Sequence, residues 1–64
     1  MAERLRDMRT RRILTQEQLA VRAGVSTATI RRIEAGQMTP RFSTIQRLAA
    51  GLGVEPMELA GTSI

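Results

Sequence analysis

The segment Leu14–Ala35, LTQEQLAVRAGVSTATIRRIEA, leaves its chain little choice of fold. Apolar residues recur at helical spacing on both sides of a two-residue break, Gly24-Val25, and period-two alternation is nowhere sustained. Thr15 with Gln18 three residues on is a capping-box pattern, in which two backbone N–H groups of a first helical turn find side-chain acceptors. Leu19, Ala20 and Ala23 form the inner face of that helix, and Gly24 suits a left-handed ending. Ser26 caps a second helix, expected to continue to Ala35 and to stop at Gly36. So short a link forces the two helices to pack near their ends. The small Ala20 and Ala23 let the backbones approach, and Val25 plugs the corner. An ordinary hairpin inside a helical bundle would use the same residues, so the turn alone leaves its purpose open.

The rest of the chain reads as scaffold. A first helix is expected over about Ala2 to Arg12, with Met1, Leu5 and Met8 on one face and Arg4, Arg6, Asp7 and Arg11 elsewhere. Residues 37–41 form a polar loop containing Pro40. A fourth helix spans Phe42 to Leu52 on an apolar stripe of Phe42, Ile45, Leu48, Ala49 and Leu52, with Gly53 just beyond its end. Pro56 opens a short fifth helix that brings Met57 and Leu59 inward. The fold class is all-α, a compact five-helix domain occupying residues 1–64. A chain of this size buries only about 60% of the surface its unfolded form exposes, so its core is small.

Composition removes several function classes. Cysteine and histidine are both absent, which excludes disulfides and leaves a metal only carboxylate ligands. With no Gly-rich phosphate loop either, the chain is expected to be no enzyme and to carry no cofactor or metal. Tryptophan and tyrosine are missing, so base-stacking platforms for single strands are lacking. Ten arginines against six acids give a net charge of +4, which suits a polyanionic partner. Membrane-surface binding fits poorly, because the arginines do not collect opposite one broad apolar face. No apolar run approaches the ~20 residues of a membrane span and no signal-peptide core opens the chain, so a soluble, intracellular protein is expected.

Phasing the second helix of Leu14–Ala35 separates the two readings of the turn. At ~100° per residue, Ile30, Ile33 and Glu34 share the core side. Ala28, Arg32 and Ala35 then point away, with Arg31 beside them and Thr27 and Thr29 on the flanks. That outer face carries two arginines and no acid. It suits the major groove of double-stranded DNA: an arginine fork matches guanine O6 and N7, and Ala28 can touch a thymine methyl. Thr27 can donate to a phosphate or a base edge. Thr27, Ala28, Thr29, Arg31 and Arg32 are therefore candidate base contacts, although each singly would also suit a solvated face. Gln16, Ser26, Gln37 and Arg41 are candidate phosphate contacts; for Gln37 and Arg41 simple exposure fits equally well. Glu34 points inward and needs a partner, because an unpaired buried carboxylate would cost several kcal/mol. Arg9 on the first helix is the candidate for that structural ion pair.

Thr15-Gln16-Glu17-Gln18-Leu19-Ala20, Gly24-Val25-Ser26 and Thr29–Gly36 together closely resemble the Cro/repressor-type (lambda-repressor-like, XRE-type) helix-turn-helix domains of phage and bacterial regulators. The resemblance continues through Pro40, the stripe of the fourth helix and Leu52-Gly53-Val54, and covers nearly the whole chain. It implies a five-helix domain that binds operator DNA, usually as a two-fold dimer, in the cytoplasm at the nucleoid. By position, Gln16 matches a phosphate contact, Thr27, Ala28, Thr29 and Arg32 match base-facing positions with Arg31 adjacent, and Arg9 and Glu34 match a buried pair. Ile13 departs from the family's usual glycine, Arg41 and Glu55 from small capping residues, and Gly51 from alanine. No obvious dimerisation helix is present. A homodimer, at least on DNA, would rest on the fifth helix and the tail, or on a further domain if these residues are the N-terminal part of a longer regulator. The alternative is a protein-interaction module, such as an antitoxin or anti-regulator, on the same fold.

Overall fold

The computed structural model describes residues 1–61 of the 64. The order is α1 (Ala2–Arg11), α2 (Gln16–Ala23), α3 (Thr27–Glu34), α4 (Phe42–Leu52) and α5 (Pro56–Ala60), with no strand among the described residues. Each helix lies within a residue or so of its expected bounds; α3 ends at Glu34, and Ala35 serves as its C-cap. Part of the tail suggested as a dimer patch, residues 62–64, lies outside the described residues.

All five helices contribute to one aliphatic core. Leu5, Leu19, Ile30, Ile33, Leu48 and Leu59 are fully buried, each the inward member of its helix's apolar stripe. Burying side chains of this kind contributes about 1.5–3 kcal/mol apiece. Helix α2 packs most extensively on α4, and Gly51 explains how closely. A Cβ added there would lie 3.2–3.3 Å from the backbone nitrogen, Cα and Cβ of Ala23. The glycine that weakens α4 as a helix thus admits the end of α2, just before the turn into α3.

Two residues expected in the core are outside it. Phe42 and Met57 are each 61% exposed. Both sit in the first turn of a helix, where the apolar stripe runs past its packing partners. The right helical angle does not bury a side chain that no neighbouring element reaches. Ile45 is half-buried against the core, while Leu48, Ala49 and Leu52 complete the stripe as expected.

The corner between α1 and α2 departs from ordinary backbone. Ile13 has φ +56° and is 87% exposed. For a β-branched residue the left-handed region costs roughly 1–2 kcal/mol. The surroundings enforce it: the Ile13 N–H donates to the Thr10 carbonyl (2.9 Å) and the Leu14 N–H to that of Arg9 (3.2 Å), closing the helix end. Arg12 reinforces the corner, donating from Nε to the Leu52 carbonyl (2.7 Å) and from Nη1 to that of Met8 (3.0 Å). One guanidinium thereby joins the C-terminal ends of α1 and α4.

Candidate nucleic-acid interface

The α2–α3 unit is built by reciprocal caps. Thr15 Oγ1 accepts from the Gln18 N–H at 3.0 Å while Gln18 Oε1 accepts from the Thr15 N–H at 2.8 Å, a complete capping box. At the other end Gly24 adopts φ +71°, and the N–H groups of Gly24 and Val25 both reach the Ala20 carbonyl. Ser26 Oγ then accepts from the Thr29 N–H at 3.1 Å and starts α3. Arg47 of α4 donates to the Gly24 carbonyl at 3.3 Å, holding the turn from outside.

With its start so defined, α3 has one rotational setting. Ile30, Ile33 and Glu34 are buried; Arg31, Arg32 and Ala35 are exposed; Thr27, Ala28 and Thr29 are half-buried along the leading edge. Among the described residues neither Arg31 nor Arg32 pairs with a carboxylate; the two ion pairs present are Arg9–Glu34 and Arg11–Asp7. Two free guanidinium forks therefore stand on the outer face of a helix whose first N–H groups also lack intrahelical acceptors. The Thr29 and Ser26 hydroxyls lie 2.8 Å apart and satisfy one another. Of the Thr29 side chain this leaves its methyl and two further hydrogen-bonding sites on the hydroxyl for an outside partner. Gln37 and Arg41 are exposed in and beside the loop that follows α3.

Beneath this face, Arg9 Nε donates to Glu34 Oε2 at 2.7 Å and Nη2 to Oε1 at 3.0 Å, a bidentate pair whose side chains are 12% and 6% exposed. Arg9 Nη1 also donates to the Leu14 carbonyl at 2.8 Å. Burial alone would push the Glu34 carboxyl up. Hydrogen bonds from Arg9 and Gln16, with the charges of Arg9 and Arg6, outweigh burial and hold it below its ordinary range.

Sequence reasoning missed one member of this cluster. Gln16 is half-buried, and its Nε2 donates inward to Glu34 Oε1 at 3.1 Å. The clue was stoichiometric: a carboxylate has about four acceptor sites, and one bidentate arginine fills only two of them. Arg12 and Arg47 were missed as well, since each binds a backbone carbonyl distant in sequence.

The geometry has the helix-turn-helix form, and the pattern of the helix-turn-helix family (HTH_3) matches residues 5–59. The chain belongs to this family. It is 51% identical over 53 residues to RghRB, an HTH-type transcriptional regulator of Bacillus subtilis, a match covering 81% of this chain and 38% of the relative. It is 36% identical over 62 residues to RstR, a cryptic phage CTXphi transcriptional repressor of Vibrio cholerae, covering 97% and 56%. This chain thus spans roughly four to six tenths of the length of the curated relatives it matches. Among solved structures, the restriction-modification controller protein C.AhdI of Aeromonas hydrophila superposes with a TM-score of 0.88 at 38% identity, covering 91% of this helix-turn-helix domain and 88% of that chain. An HTH_3 family transcriptional regulator from Vibrio cholerae gives 0.88 at 30% identity, covering 94% and 34%. The all-helical fold and the resemblance read from the sequence agree with these relatives, whose class is regulatory and not enzymatic. No described helix is long and apolar enough to cross a membrane.

Proposed function

We propose that this helix-turn-helix domain is a sequence-specific double-stranded DNA-binding module of a transcriptional regulator, acting in the cytoplasm at the nucleoid. The carrying observation is the division of α3, with a buried face that fixes its orientation and an outer face bearing two arginines that pair with no acid among the described residues. Thr27, Ala28, Thr29, Arg31 and Arg32 meet base edges in the major groove. Arg32 or Arg31 takes a guanine through O6 and N7. Gln16, Ser26, Gln37 and Arg41 meet the sugar–phosphate backbone on either side and set the register. Relatives described as transcriptional regulators and a repressor support the reading.

A single module of this type covers only about 600–1,000 Å² of DNA-facing surface. Binding as a homodimer to two half-sites about one helical turn apart supplies the missing affinity, which gives the operator two-fold symmetry. The described residues 1–61 share one core, and the partial coverage of RghRB and RstR suits a domain within a longer regulator.

Selection of bound fragments from a random duplex pool, followed by a salt titration on the winner, tests the reading. A recurring half-site in inverted repeat is expected, with log affinity falling linearly against log salt as counterions are released. Binding that ignores salt and selects no sequence would instead favour a protein-interaction module, whose apolar interface responds little to ionic strength.

A further inference from the structure

Resting on the reading above that the chain binds DNA, we infer that Glu34 is a positioning residue for a phosphate contact: its carboxylate holds the Gln16 amide in place on the DNA side before DNA arrives. Gln16 occupies the first position of α2, beside first-turn N–H groups that have no intrahelical acceptor. Its amide has two N–H donors, and Glu34 Oε1 takes one of them. Only the nitrogen end of the amide can face a carboxylate, so the Glu34 charge decides which way round the group sits. The carbonyl end, which would repel a phosphate, is kept off the acceptor. The second N–H remains for an outside oxygen, next to the backbone donors of the helix start.

Glu34 is held in turn. Arg9 grips both of its oxygens and also binds the Leu14 carbonyl, so α1, the α1–α2 corner, the start of α2 and the end of α3 meet at one carboxylate. The same residue that sets the depth of the base-reading helix therefore sets a backbone contact on the neighbouring helix. Base readout and register are coupled through a residue that itself touches no DNA. A glutamine free in solution must give up rotamers on binding, whereas one already fixed has little left to lose.

The test is a double-mutant cycle in DNA affinity with Gln16→Ala, Glu34→Gln and the pair, run at a temperature where circular dichroism shows every variant folded. Glu34→Gln also removes a negative charge near DNA, but that acts equally in both backgrounds and cancels. With Gln16 present, Glu34→Gln is expected to weaken binding on the order of two- to tenfold more than in the Gln16→Ala background, on cognate and random sequence alike. Equal effects in both backgrounds would overturn the inference and leave the DNA-binding reading intact. A wild-type protein that binds no DNA would overturn both.

Should Glu34→Gln fail to fold, side-chain amide relaxation in the wild-type protein without DNA decides the matter. Gln16 is expected to be nearly as rigid as the backbone on the nanosecond scale, with exposed Gln37 and Gln46 mobile. A Gln16 amide as mobile as those two would overturn the inference.

Discussion

The two faces of α3 are made from one eight-residue helix and serve opposite ends. Its inner face is fully satisfied: Ile30 and Ile33 are buried in the core, and Glu34 accepts three hydrogen bonds from two other helices. Its outer face is left incomplete, with two guanidinium groups that find no acid among the described residues. Unpaired donors cost little in water and match a partner that brings oxygens and base edges. What fixes α3 and what α3 offers to a partner thus lie on different side chains, and Glu34, bonded to both Arg9 and Gln16, is the one residue of the inner face that also bears on the proposed DNA side.

The two faces should differ most in their response to substitution at Glu34. Glu34→Ala leaves the largely covered Arg9 without its acid and should cost up to about 3 kcal/mol of unfolding free energy, read as a lowered denaturant midpoint. Arg31→Ala on the outer face should stay within about 0.5 kcal/mol of the parent. Comparable losses at the two positions would erase the division.

Acid acts on the inner face in the same direction. The Glu34 carboxyl is held below its ordinary range, so the unfolded chain takes up that proton first as pH falls. The pair's contribution is full above the ordinary carboxylate range, near pH 4.3, and drains away below it toward the lowered folded value. Thermal melts between neutrality and pH 3 should show the loss. Glu34→Gln should flatten it, and an unchanged acid limb would show that other carboxylates dominate.

Smaller changes test whether the scaffold can be improved without touching the outer face. Ile13→Gly relieves a left-handed β-branched residue and should stabilise by about 1 kcal/mol, leaving DNA affinity unchanged. Gly51→Ala ought to gain up to about 1 kcal/mol from helix propensity. Its Cβ would meet Ala23 backbone at 3.2–3.3 Å, so the net change in melting temperature is expected to be near zero or negative. A full propensity gain would mean that α2 yields easily at its end.

How much of this was legible in the chain depended on whether a feature is local. The capping box at Thr15, the Gly24 turn and the phase of α3 all follow from spacing within a few residues, and all are present in the structure. The Arg9–Glu34 pair was legible because an inward acid among isoleucines demands a cation. Phe42 and Met57 were misplaced because periodicity gives an angle around a helix and says nothing of how far the neighbouring elements extend. The inward bond of Gln16, the clasp of Arg12 on Leu52 and the tight approach at Gly51 depend on which segments meet in space, and no local pattern encodes that.

The proposed function stands or falls on whether the outer face of α3 reads base pairs. The most direct measurement compares Arg32→Ala with the parent on the selected operator and on a scrambled duplex, at one salt concentration and with melting curves alongside. An unchanged melt is expected, with a loss of about 1–3 kcal/mol in discrimination between the two DNAs. Equal weakening on both sequences would contradict the proposed function, since Arg32 would then be holding phosphate and reading nothing.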